Sequence, residues 1–182
     1  LWRENRLWRV AGDPFLLEGF ESPPGKHRWQ GEHAGKWIDA AAMMEANTGD
    51  AGLATRLDAL TSALRRTQLP DGYMGIDLAP GGPWDVWNMW FVLAGMLSHH
   101  QQQGDAASLQ CASAVGSYLV DHYLPPDGQL NIFSSAWGGG CSIDVLDQLM
   151  RLQAAAPNPG LTMLADHIVN NYGPIQAMQI TG

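Results

Sequence analysis

With 182 residues, 46% of them hydrophobic and 15% charged, the chain has the make-up of one globular domain able to bury a sizeable core. A formal charge of −8 with only 10 Lys plus Arg excludes a surface that tracks nucleic-acid phosphates. No apolar run approaches the roughly 18 residues that read as a membrane span, so the expectation is a soluble chain, cytoplasmic or secreted.

Residues 1–28 carry Pro14, Pro23 and Pro24 and no sustained hydrophobic period, which reads as an extended lead-in rather than a helix pair. Within it, Phe15-Leu16-Leu17 is expected to be a strand or an extended segment. The chain starts at Leu1, not Met, and stops at Gln179-Ile-Thr-Gly182 with no stop signal after the last helical pattern, so a piece of a longer protein is expected.

The densest polar and aromatic cluster follows, in Trp29-Gln-Gly-Glu-His-Ala-Gly-Lys-Trp37. After it Ile38-Asp-Ala-Ala-Ala-Met-Met-Glu-Ala46 consists almost wholly of good helix formers. The cluster therefore sits at a helix N-terminus, where unpaired N–H groups and the dipole favour anionic or hydroxyl-rich ligands.

From Lys36 onward long helical stretches alternate with regular punctuation, and the punctuation repeats. Gly49, Gly104 and Gly160 mark successive tight turns, 55 and 56 residues apart, and Leu69-Pro70-Asp71-Gly72 recurs as Pro125-Pro126-Asp127-Gly128 at an offset of 56. The units read as helix pairs over 36–47 with 51–68, 85–102 with 106–123, and 142–155 with 161–172. Leu53, Leu57, Leu60 and Leu64 form a helical core stripe in the first pair. In each pair the first helix is the more apolar or small-residue-rich, as in Trp87-Asn-Met-Trp-Phe-Val-Leu-Ala-Gly-Met-Leu97, and suits an inner layer. The expected fold is all-α, an arc of three helical hairpins over 29–182. Such an arc leaves its ends open to the remainder of its own domain or to a second copy of the chain.

If the inner helices are parallel, the loops before them converge on one face. That face would gather Trp29, Glu32, His33, Lys36 and Trp37; Gln68, Asp71, Tyr73, Trp84, Asp85, Trp87 and Asn88; and Phe133, Ser135, Trp137 and Ser142. Aromatic planes mixed with carboxylates, amides and few cations suit carbohydrate. Each residue also has a plainer reading: Glu32 and Asp85 as helix-start acids, and Asp71-Gly72 and Asp127-Gly128 as turns whose glycines supply positive φ. His99-His100 favours a helix C-terminus, and Cys111 and Cys141 are too few for a disulfide framework and read as small buried hydrophobes. No nucleophile motif occurs, and sequence does not set the separation between carboxylates that glycoside hydrolysis requires.

The assembled motifs resemble a known family. Gly31-Glu-His-Ala-Gly-Lys-Trp-Ile-Asp-Ala40, Gln68-Leu-Pro-Asp-Gly-Tyr-Met-Gly75, Trp84-Asp-Val-Trp87 with Gly95, Gly104-Asp105 and Cys141-Ser-Ile-Asp-Val-Leu-Asp-Gln-Leu-Met-Arg-Leu152 are similar to the β-L-arabinofuranosidase-like glycoside hydrolases of family 127 and relatives, formerly domain of unknown function 1680. The resemblance implies an (α/α)6 barrel of which three hairpins are about half, and a carbohydrate substrate. It implies a double-displacement glycosidase whose glutamate acid and zinc-bound cysteine nucleophile lie outside this chain. Neither Cys111 nor Cys141 matches the paired-cysteine context, and no cofactor is expected within the chain. The expected substrate-positioning residues are Glu32, His33, Lys36, Trp37, Gln68, Asp71, Tyr73, Trp84 and Trp87. Where the family usually reads Trp-Asp-x-Trp-x-His-Lys-Tyr this chain has Trp84-Asp-Val-Trp-Asn-Met89-Trp90-Phe91, so Met89 stands where a sugar-facing histidine is expected. On this reading the isolated chain hydrolyses nothing. Two rivals remain open: a non-catalytic carbohydrate-binding or scaffold protein, and another α/α-toroid enzyme such as a lyase or unsaturated glucuronyl hydrolase with its acid or base among Asp71, Asp85, Asp144 and His33.

Overall fold

The computed structural model describes residues 12–134 and 139–180, with the side chains of 141, 142 and 173–180 set aside. Regular structure among them is helical: α1 (Phe15–Glu21), α2 (Glu32–Thr48), α3 (Ala51–Arg65), α4 (Asp85–Gln103), α5 (Ala106–Tyr123), the short α6 (Gly140–Ile143), α7 (Leu146–Ala155) and α8 (Pro159–Ile180), with a 3-10 turn at Ile132–Ser134. Helices α2, α4 and α7 form an inner layer, and α3, α5 and α8 an outer one. The two layers share one core that runs from Leu16 through Leu57, Leu93 and Tyr118 to Leu164 and Ile168. Three helical hairpins side by side make the expected arc.

The repeated turns have a common chemistry. Gly49 and Gly104 end α2 and α4 in the left-handed conformation, at φ 63 and 71. The following aspartates then cap the next helices, Asp50 accepting from the Gly52 and Leu53 amides and Asp105 from the Ser108 amide. The third turn departs from this plan. Asn158 takes the aspartate's role by accepting from the Gly160 amide at 2.9 Å, and Gly160 lies inside α8.

The inner helices α2 and α4 touch backbone to backbone. A Cβ on Gly35 would lie 1.9 Å from the Phe91 carbonyl oxygen, and one on Gly95 would lie 2.9 Å from the Gly35 oxygen, so only glycine fits this crossing. The contact brings the starts of both helices to the same end of the arc.

Several expectations are corrected. The lead-in is not extended at Phe15-Leu16-Leu17; it folds as α1, because Asp13 Oδ1 accepts from the Phe15 amide at 3.0 Å and Leu16 and Phe20 share one buried face four residues apart. The first inner helix begins at Glu32 rather than Lys36, and α3 stops at Arg65 before turns through Thr67 and Gln68. The third inner helix is split into α6 and α7, and α8 runs past the expected end at 172. Gly72 has the positive φ expected of its turn, at 95, but Gly128 is not among the positive-φ glycines; it is needed because a Cβ there would meet the His122 carbonyl at 2.7 Å. His99 does not simply face a helix end. It is 1% exposed, with Nδ1 2.8 Å from Ser108 Oγ and Nε2 3.2 Å from Asp58 Oδ1. Arg65 completes this knot by donating to both Asp105 and Ser108 at 2.8 Å, which ties α3, α4 and α5 together at the end opposite the helix starts. Cys111 is buried as expected, while Cys141 lies among the side chains outside the described residues. No helix of the described residues is long and apolar enough to cross a membrane.

Candidate functional site

The loop before α2 is pinned from two sides. Gln30, 1% exposed, accepts from the Lys26 amide at 2.6 Å and donates to the Phe15 carbonyl at 2.9 Å, while Asn88 of α4 donates to the Arg28 carbonyl at 2.9 Å. This pinning leaves His27 and Trp29 on the surface, their rings stacked at 5.6 Å and 13°.

From there a run of rings crosses the helix starts. Trp29 meets Trp84 at 5.7 Å, Trp84 meets Trp87 at 5.9 Å edge-on, and Trp87 meets both Trp90 at 5.1 Å and Phe91 at 5.2 Å. Polar groups are interleaved with them. The Trp87 indole N–H donates to Glu32 Oε2, and Lys36 Nζ donates to Glu32 Oε1 at 2.7 Å while standing 4.3 Å above the Phe91 ring. The Trp90 indole N–H donates to Asp147 Oδ1 of α7 at 3.0 Å, so all three inner helices contribute. Partly exposed rings beside a carboxylate and an ammonium can stack on the apolar face of a sugar ring and exchange hydrogen bonds with its hydroxyls.

Beneath this wall lies a buried polar knot. Asp85 is 0% exposed and accepts from the Tyr73 hydroxyl at 2.7 Å, the Gly81 amide at 3.0 Å and the Tyr123 hydroxyl at 3.3 Å. Burial is the strongest influence on its carboxyl and raises it above the ordinary range, although the three donors pull the other way. Burial likewise raises the Tyr73 and Tyr123 hydroxyls. His33 is shifted downward, first by burial, against the attraction of Glu32.

Of the nine expected positioning residues, Glu32, Lys36, Trp84 and Trp87 come together on the wall. His33 packs against the Phe15 ring at 5.2 Å, to the side of it. Trp37, 5% exposed, belongs to the core, and Tyr73, also 5% exposed, spends its hydroxyl on Asp85. Gln68 braces the loop by donating to the Gly72 and Cys111 carbonyls, and Asp71 caps the turn by accepting from the Tyr73 amide at 3.0 Å. Phe133 faces the outer layer, 5.5 Å from the His167 ring of α8. Ser135, Trp137 and the Ser142 side chain lie outside the described residues. Met89 is 0% exposed, so the position expected to hold a sugar-facing histidine is filled by core packing.

Wall residues that sequence reasoning passed over are Trp90, Phe91, His27 and Asp147. Trp90 and Phe91 stand three and four residues after Trp87, on the same helical face, and that spacing was the available signal. Asp147 offered none, since its partner is on another hairpin. Among the described residues no group of three His, Cys, Asp or Glu side chains could hold a metal, and Cys111 Sγ lies buried against Met74 Sδ at 3.3 Å.

The family model for the GH127 catalytic domain of β-L-arabinofuranosidase matches residues 13–142. Among solved structures the chain superposes, with a TM-score of 0.71 and 18% identity, on the crystal structure of a GH127 β-L-arabinofuranosidase from Geobacillus stearothermophilus T6. The match covers 90% of this chain and 29% of that one. The likeness establishes the fold: the arc is part of an (α/α)6 toroid. No curated protein matches the chain.

Proposed function

The chain belongs to the GH127 β-L-arabinofuranosidase catalytic-domain family, and from that premise we propose that it supplies part of the sugar-binding wall of a glycoside hydrolase of that type. The observation that carries the reading is the constellation of Glu32, Lys36 and Trp87 at the starts of two inner helices, with Trp84, Trp90 and Phe91 extending its aromatic surface. Glu32 holds the Trp87 indole and the Lys36 ammonium in place and offers its carboxylate to sugar hydroxyls. It is a positioning residue in this scheme. Asp85, sealed beneath the wall, fixes the loop through Gly81 and both tyrosines and does not meet substrate.

The matched structure is much longer than this chain, which supports reading residues 29–182 as part of a longer catalytic domain and 1–28 as its lead-in. The acid and the nucleophile of the reaction would then come from the rest of the toroid, and the chain by itself would bind sugar without cleaving it.

Titrating the chain with arabinotriose and reading tryptophan fluorescence tests this. Saturable quenching is expected, weakened at least ~10-fold in Trp87→Ala, equivalent to ~1.4 kcal/mol, and less so in Glu32→Gln. Equal affinity in Trp87→Ala and the parent chain would sink the proposal, as would turnover of an aryl arabinofuranoside by the chain alone.

A further inference from the structure

A cavity lies on the outer side of the arc, between the loop that follows α5 and the exposed flank of α8. Its volume is about 520 Å³, within the ~300–1,000 Å³ typical of small-ligand sites. Phe133 and His167 offer two tilted rings 5.5 Å apart, and Gln129, Asn131 and Asn171 surround them with amides.

Each polar group is anchored at one atom and open at another. Asn131 Oδ1 accepts from the Phe133 amide at 2.9 Å, which leaves its NH2 as a donor. Gln129 Nε2 donates to the Asp127 carbonyl at 3.1 Å and Asn171 Nδ2 to the His167 carbonyl at 2.7 Å, which leaves a carbonyl oxygen on each as an acceptor. His167 Nδ1 is 3.3 Å from Asn171 Nδ2, which leaves Nε2. Pre-oriented donors and acceptors around aromatic rings are what vicinal hydroxyls on a ring with an apolar face require. Among the described residues the lining holds no carboxylate, ammonium or guanidinium, and its polar groups other than the His167 imidazole are neutral amides and a tyrosine, which suits a neutral sugar better than an acidic one.

We propose that this cavity is a second carbohydrate site, separate from the Trp87 wall, that takes a neutral oligosaccharide of one to a few sugar rings. It deepens the carbohydrate reading of the chain; the lining shares Tyr123 with the Asp85 knot, yet its ligand-facing groups and reporters, Phe133, His167 and Asn171, take no part in the wall. A site on the outer layer would hold a polymeric glycan near the toroid without taking part in bond cleavage.

The test is an NMR titration of the chain followed at the His167 imidazole and Asn171 side-chain amide signals, with arabinotriose as the neutral probe and trigalacturonic acid as the acidic one. Arabinotriose is expected to shift both signals saturably, with affinity reduced at least ~10-fold in Phe133→Ala and in Asn171→Ala, or ~1.4 kcal/mol, and unchanged in Trp87→Ala. Asn171 is exposed on α8, so Asn171→Ala keeps the test decisive if Phe133→Ala does not fold. No saturable shift, equal shifts by trigalacturonic acid, or loss of the shifts in Trp87→Ala would each overturn the proposal. A saturable His167 response without Trp87-dependent quenching would uphold this site and refute the wall.

Discussion

Replacing Gly35 by alanine probes the contact on which both the arc and the wall depend. The new Cβ would stand 1.9 Å from the Phe91 carbonyl oxygen, 2.2 Å from its carbon and 2.9 Å from the Val92 nitrogen. All three are backbone atoms in the middle of α4, so no side chain can swing aside. Helices α2 and α4 must part by about 1.5 Å, the gap between 1.9 Å and the 3.4 Å at which ordinary contact begins, in an interior packed at crystal density. Alanine returns ~1 kcal/mol of helix propensity, whereas overpacking costs ~1–3 kcal/mol and reaches the upper end when backbone opposes it. The expected net loss is ~2 kcal/mol, read as a lower midpoint in urea unfolding. Glu32 lies one turn before Gly35 and Trp87 one turn before Phe91, so the same displacement breaks the Trp87–Glu32 hydrogen bond and moves the Trp87 indole N–H resonance. Gly49→Ala is the control: nothing lies within 4 Å of its Cβ, and its cost is the ~1–2 kcal/mol of a left-handed residue with no change at Trp87. Unfolding of Gly35→Ala within ~0.5 kcal/mol of the parent, together with an unmoved Trp87 signal, would refute the reasoning.

Further outcomes follow from the buried and capping groups. Because burial raises the Asp85 carboxyl, the folded chain holds that proton at higher pH than the unfolded chain does. Its stabilising contribution is therefore complete below the unfolded value of ~3.9 and is lost as pH rises through the folded value. Asp85→Asn should flatten unfolding free energy against pH in that window, and an unaltered slope would exclude Asp85 as its source. Burial also pushes the Cys111 thiol up to about 12, so peptide-resolved mass spectrometry should find it unlabelled by a thiol reagent in the folded chain and labelled in urea. Equal labelling in both states would contradict the buried assignment. Asp50→Ala should cost ~1 kcal/mol as the loss of one helix cap, and Asp105→Ala should cost more, since Asp105 also receives Arg65. Paired urea titrations would show the reverse order if the Arg65 contact contributes nothing.

The sequence by itself determined the repeat, the turns and the two-layered helical arc. Gly49-Asp50 and Gly104-Asp105 are local devices, a left-handed stop followed by a cap, and local chemistry can be read from neighbours along the chain. The motif resemblance led to the same family as the match over residues 13–142. It also brought Glu32, Lys36, Trp84 and Trp87 to notice, since they crowd the starts of two inner helices. Which of the nine candidates face outward was decided only by tertiary structure. The rotation of α2 sends Trp37 into the core while Lys36, its neighbour, reaches over Phe91. Tyr73 and Asp85, 12 residues apart, become partners only when the loop folds over α4, and Asp147 meets Trp90 across 57 residues. Partners set by helix rotation and by close approach between hairpins, as at Gly35 and Phe91, leave no periodic trace in the chain. For that reason the architecture was legible in advance, and the membership of the site only in part.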